Sequence, residues 1–399
     1  RYMPDKKGSS STPAPPPAGT ATFRPGSGTT LNVGFTVRDL AVVMALSSAA
    51  TFMLSCYMAA PASSGQVGLT SAHCQKRPYN NAALHSTKLN ADGSTSYSLY
   101  LITDLDHDSA LADKKNTWHS LGLQGTLTLA KDKKSAKVAM QAAKPVTSQI
   151  AAGGRSMELS DLVVFDGRLL SCDDRTGLIY EIDPTISKAF PWVFLPDGPG
   201  VRASKGLKAE WMTVKDGELI VGGLGKEWTT TTGVYVNDHP MYIKVISPEG
   251  AVRHVPWKEV FVKARRTIGV EYPGYAIHEA VQWSALHRRW FFLPRRASNE
   301  TYDEEADEHR GTNFLISSND NFEDWQVATV GDRGDGSRGF SAFQFVPGTS
   351  DRLIVALKSE EKDGKPVASY ISLIDTQGNV IMADTRLEGS YKYEGVAFA

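Results

Sequence analysis

The chain is poor in cysteine, with Cys56, Cys74 and Cys172 the only three in 399 residues. No disulfide framework can hold it, so a large core must. Neither charge is in excess: Lys+Arg 43 against Asp+Glu 44 gives −1. There is no basic stripe interleaved with aromatics either, which argues against nucleic acid as a partner. The nine histidines show no HExxH spacing, and zinc hydrolysis loses its support. Gly222-Gly223-Leu224-Gly225-Lys226 lacks the spacing of a P-loop, and no window matches an EF-hand. Helix-length amphipathic segments are scarce after residue 130, with Trp257–Arg266 reading as a single inserted helix.

Long apolar runs are almost missing too. The exception is AVVMALSSAATFMLSCYMAA at residues 41–60, free of charge and at helical rise about as long as a bilayer core is thick. Residues 1–40 ahead of it are rich in Pro, Gly, Ser and Thr and read as a disordered tail. Arg1, Lys6, Lys7, Arg24 and Arg38 outnumber Asp5 and Asp39 there, so residues 41–60 read as a signal-anchor with the bulk of the chain in a lumen. A cleaved signal with secretion and a buried core helix are the alternatives. Residues 61–96 are polar and aperiodic, a stem; the folded domain is expected over 97–399. Cys74 in the stem is placed to pair between chains as a homodimer, and Cys172 reads as a buried thiol. Asn299-Glu300-Thr301 is a glycosylation sequon, Arg333-Gly334-Asp335 an uninformative loop tripeptide, and Asp303–Glu308 a solvated acidic loop.

What is present is short and repeated. Tyr97–Thr103, Leu162–Phe165, Leu219–Val221, Trp290–Leu293, Phe343–Val346 and Leu353–Ala356 have strand length, with turn signals at Asp166-Gly167 and Asp216-Gly217. Just ahead of a hydrophobic run, an oxygen side chain recurs at Ser160, Glu210, Glu279, Ser341 and Glu394, in steps of 50, 69, 62 and 53 residues. One propeller blade takes roughly 40–50 residues. The expected fold is therefore all-β, a β-propeller in which one ligand per blade converges on a central channel. A set of carboxylates and hydroxyls without thiols or imidazoles is hard, which suits calcium far better than zinc. The last copy, Tyr393–Phe398, ends after one strand, so strands near Tyr97–Thr103 and Gly125–Leu129 are expected to complete it and close the ring.

Several motifs carry a family resemblance. Met157-Glu158-Leu159-Ser160, Asp173-Asp174-Arg175-Thr176-Gly177, Lys208-Ala209-Glu210-Trp211, Gly225-Lys226-Glu227-Trp228, His278-Glu279, the run Trp290–Ser298, Gly339-Phe340-Ser341, Ala356–Glu361 and Lys392-Tyr393-Glu394-Gly395 together resemble the calcium-activated nucleotidase (apyrase) family. The resemblance covers roughly residues 97–399. It implies a five-bladed propeller with one central Ca2+ held by Ser160, Glu210, Glu279, Ser341 and Glu394. It also implies hydrolysis of nucleoside di- and triphosphates such as UDP, GDP and ADP without a covalent intermediate, and an anchored place in the Golgi or endoplasmic reticulum. Arg175, Lys208, Lys226, Arg295 and Lys358 are the candidate phosphate clamp, with Arg295 the foremost. Asp104, Asp106, Glu158 and Asp174 are the candidates for orienting water. Asp104 and Asp106 either share a strand face or lie in a turn. Trp228 and Tyr393 are candidate stacking surfaces for the base.

Overall fold

A computed structural model describes residues 78–399; the tail, the 41–60 segment, Cys56, Cys74 and residues 61–77 of the stem lie outside the described residues. The first strands are β1 (Thr87–Leu89), β2 (Thr95–Asp104), β3 (Trp118–Leu129), β4 (Ala136–Met140) and β5 (Lys144–Ser148). Next comes an antiparallel meander of β6 (Leu159–Phe165), β7 (Arg168–Asp173), β8 (Leu178–Asp183) and β9 (Lys188–Phe194). β10 (Trp211–Lys215) and β11 (Glu218–Gly222) follow, then a short hairpin of β12 (Trp228–Thr229) and β13 (Tyr235–Asn237). β14 (Tyr242–Ile246) and β15 (Val252–Pro256) complete a four-stranded sheet with β10 and β11. After helix α1 (Lys258–Thr267) a further sheet contains β16 (Tyr275–Ser284), β17 (Arg289–Ser298), β18 (Phe314–Asn319) and β19 (Trp325–Thr329), with the short helix α2 (Glu304–Asp307) between β17 and β18. β20 (Arg338–Phe345), β21 (Leu353–Lys362), β22 (Lys365–Asp375) and β23 (Val380–Arg386) make the last sheet. β24 (Lys392–Ala397) ends the chain and pairs antiparallel with β2.

Turn chemistry sets these hairpins. Asp166 and Gly167 take φ of 52° and 73°, and Asp216 and Gly217 take 51° and 76°. Both residues of each pair are left-handed, the geometry whose twist matches the flanking strands. The leading strands β6, β10, β16, β20 and β24 neighbour one another in that order, and β24 also lies beside β6. Every residue of β16 and β24 is buried. Strands covered on both faces read as continuous apolar runs rather than alternations. Apolar clusters fill the spaces between sheets, for instance Trp211, Trp257, Trp283, Trp290 and Phe261, where the Trp257 and Trp290 rings meet edge to face at 4.8 Å.

Among the described residues, contacts with the folded unit begin ahead of the expected domain start near Tyr97. The Tyr79 ring packs on Phe165 at 5.6 Å, the Asn80 amide donates to Asp166 at 2.9 Å, the His85 ring lies 6.2 Å from Phe398, and β1 pairs with β2. Each contact is made singly, and that produces no hydrophobic period. Removing residues through Ser96 should therefore lower the thermal midpoint by roughly 4 °C or more, as read by calorimetry. An unchanged midpoint would mean that this segment adds nothing to the fold.

Candidate active site and metal centre

The five repeated oxygen residues sit where the leading strands lose register. Pairing skips after Ser160 in β6, around Glu279 in β16, around Ser341 in β20 and opposite Glu394 in β24. Such bulges re-aim a side chain that a regular pleat would send elsewhere. Glu210 comes one residue before β10, its amide donating to the Gly222 carbonyl at 2.8 Å. Four of the five side chains meet. Ser160 Oγ donates to Glu210 at 3.4 Å and to Glu394 at 3.2 Å. One nitrogen of Arg295 donates to both Glu279 and Glu394. The Ser341 hydroxyl instead donates to the Tyr393 carbonyl at 2.9 Å.

Glu210, Glu279, Arg295 and Glu394 open on a cavity of about 390 Å³ lined by ten acidic and five basic side chains. Burial pushes the carboxyl of Glu210 up and that of Glu394 to about 7, although Lys208 and Lys392 pull the other way. Anionic charge is in surplus here, all of it on oxygen. That donor set fits a hard divalent cation, which would relieve the crowding of carboxylates.

A second acidic group flanks the first. Asp104, Asp106 and Glu158 can each place an oxygen within 4.8 Å of the others. Asp104 ends β2, while Asp106 has a φ of 47° and opens a short 3₁₀ turn. The Lys392 ammonium joins the two at 2.7 and 2.9 Å. Burial drives Asp104 upward despite Lys392; for Asp106 burial opposes Lys392, and Lys392 prevails, holding it low. Arg155 donates to both oxygens of Glu158, at 2.7 and 2.5 Å, yet burial still raises that carboxyl to about 7. Asp174 pairs with Lys208, whose ammonium also lies 2.8 Å from Glu210, and its second oxygen has no hydrogen-bond partner among the described residues.

The proposed substrate contacts divide. Lys208, Lys226, Trp228 and Arg295 line the cavity. Lys226 is buried over the Tyr302 ring at 4.1 Å, and burial lowers its ammonium to about 8. Arg295 does not stand free at a strand end, because Glu279, Glu361 and Glu394 already take its guanidinium. Arg175, Lys358 and Tyr393 do not line the cavity. Arg175 is exposed at the β7–β8 turn, where Asp173 caps its amide at 3.0 Å. Lys358 on β21 pairs with Asp384 on β23 of its own sheet at 3.1 Å. Tyr393 lies between Lys392 and Glu394 on an extended strand, so alternation sends its ring into the core.

Other residues were missed. Lys392, Glu361, Arg296 and Tyr302 line the cavity, and Arg155 clamps Glu158. Lys392 could have been found, since it stands two residues before Glu394 and so shares its strand face. The acidic loop is not simply solvated: Glu304, Asp307 and Glu308 line the cavity wall, and Glu308 accepts from the amides of Asp363 and Gly364 at 2.9 and 2.6 Å. Nothing in local composition separates it from an ordinary solvated loop.

The family profile for apyrases matches residues 105–399. The chain belongs to the apyrase family. It is 59% identical to "Apyrase apy-1" of Caenorhabditis elegans over 327 residues, covering 82% of this chain and 90% of that one. It is 46% identical to "Soluble calcium-activated nucleotidase 1" of Rattus norvegicus over 321 residues, 80% and 78% of the two chains. "Apyrase" of Cimex lectularius is 42% identical over 306 residues, 76% and 82%. As an apyrase the protein is an enzyme that hydrolyses nucleotide phosphates. The apyrase cavity thus gathers ten carboxylates and five cationic side chains in one space.

Proposed function

We propose that this apyrase is a calcium-dependent hydrolase of nucleoside diphosphates, UDP and GDP foremost with ADP included, and of triphosphates, built as a five-bladed propeller. The observation that carries the reading is the meeting of Glu210, Glu279 and Glu394, from three different sheets, around Ser160 and Arg295. These three carboxylates would hold calcium together with the backbone or side-chain oxygens of Ser160 and Ser341. When bound there, the ion supplies charge neutralisation and Lewis acidity toward the phosphate oxygens.

The chain's own groups do the rest. Lys208 and Lys226 receive phosphate charge, and Trp228 offers a face to the base. Asp106, held ionised by Lys392, orients the water and takes its proton. The water oxygen bonds to the terminal phosphorus, the bond to the bridging oxygen breaks, and phosphate departs from the shortened nucleotide. The domain would face a lumen or the cell exterior, with residues 41–60 as anchor or cleaved signal and exposed Asn299 open to glycosylation.

Phosphate release from a nucleotide panel, measured against a calcium titration and with a chelator, tests this directly. Release that persists in chelator, or that spares UDP and GDP, would refute it. Lys226 adds a pH signature. Its ammonium titrates near 8 in the free enzyme, so it is charged below that pH and neutral above it. The kcat/KM for UDP should therefore fall between pH 7 and 9, and Lys226→Arg should remove that fall because guanidinium stays charged. An unchanged fall in the variant would assign the titration to another group.

A further inference from the structure

Gly225, Lys226, Glu227 and Trp228 form the cavity wall between β11 and β12. Lys226 and Trp228 face the cavity, while Glu227 between them is buried and turned away. It turns toward α1. There Arg265 grips it in two-pronged fashion, its guanidinium nitrogens donating to the two carboxylate oxygens at 2.9 and 3.2 Å. Both partners are less than 10% exposed. The same helix presses on the wall one turn earlier. A side chain at Gly225, whose φ is 71°, would begin 2.6 Å from the Phe261 ring and 2.8 Å from His278. Helix α1 thus backs the wall through Phe261 and Arg265, while none of its residues lines the cavity.

We propose that Arg265 is a positioning residue that sets nucleotide affinity by holding Glu227, and through it the cavity-facing pair Lys226 and Trp228. The proposal rests on the reading that this pair contacts nucleotide. The backbone of 226–228 is otherwise held lightly: β12 has two residues and its register with β13 shifts at once. Among the described residues the Lys226 ammonium donates to neighbours on its own segment, the Glu227 carbonyl at 3.0 Å and Thr229 Oγ1 at 3.2 Å, and otherwise lies over the Tyr302 and Tyr275 rings at 4.1 and 5.8 Å. A fork-shaped, buried grip fixes direction as well as distance, which an ammonium would not.

Steady-state kinetics on UDP at saturating calcium provide the test. Arg265→Met should raise KM by about tenfold while kcat stays within about twofold and the calcium needed for half-activation does not move. Arg265→Lys should recover part of the loss. In a Lys226→Met, Trp228→Ala background, Arg265→Met should add no further rise, since the groups it positions are gone. Should the single variant fold poorly, Glu227→Leu with Arg265→Leu removes both charges together and should give the same rise. A fall in kcat at unchanged KM, a shifted calcium requirement, or a KM rise that persists in the double background would overturn the proposal. If Lys226→Met raises KM but Arg265→Met does not, the positioning role alone fails. Unchanged KM in Lys226→Met and Trp228→Ala would overturn the nucleotide-site reading, and the proposal with it.

Discussion

Glu279→Ala is expected to lower phosphate release from UDP by roughly 100- to 1000-fold at a calcium concentration that saturates the unaltered enzyme. The calcium needed for half-activation should rise by about tenfold or more. Glu279 is one of the three carboxylates among the five repeated positions, and the two serines carry no formal charge. Calcium draws its affinity from carboxylate count, so losing one of three is a large fraction of the charge it sees. Measuring kcat/KM across a calcium series separates the two effects, because a loss of affinity is recovered at high calcium and a loss of transition-state stabilisation is not. An unaltered calcium requirement in Glu279→Ala would remove this residue from the metal centre.

Arg295→Ala should destabilise the protein most when calcium is withheld. The guanidinium is shared by Glu279, Glu361 and Glu394, and its loss leaves buried carboxylates facing one another. Removing one partner of a buried ion pair costs about 3–5 kcal/mol, or roughly 6 °C or more in thermal midpoint. Calcium held by the proposed site would stabilise the native state alone and neutralise the same carboxylates, so its stabilising effect should be larger in the variant than in the wild type. Thermal unfolding with chelator and with excess calcium gives both numbers. Equal midpoints for variant and wild type in chelator would show that Arg295 is no structural counter-charge.

The strands, the Asp-Gly hairpins and the pairing of β24 with β2 were legible, since each leaves a local mark: an apolar run, a turn dipeptide, an unfinished last copy. The meeting of Ser160, Glu210, Glu279 and Glu394 was legible for a related reason, because each stands just ahead of an apolar run. What stayed hidden was how charges pair across sheets. Arg295 reads as a phosphate clamp from its motif, yet Glu394 is 99 residues away in sequence and 2.7 Å away in space. Tyr393 and Lys358 were misplaced because register, which decides the face of a strand, is set by bulges that leave no composition signal. Residues 78–96 looked like stem because their contacts fall on scattered single side chains.

One calcium is expected among Glu210, Glu279 and Glu394, with hydrolysis dependent on it. A crystal grown with calcium and nucleotide analogue, with the anomalous signal of the ion recorded, tests it most directly. One peak should appear about 2.3–2.6 Å from oxygens of those three carboxylates, with Arg295 displaced from at least one of them. A peak instead among Asp104, Asp106 and Glu158, or none in crystals whose protein releases phosphate in the same calcium solution, would contradict it.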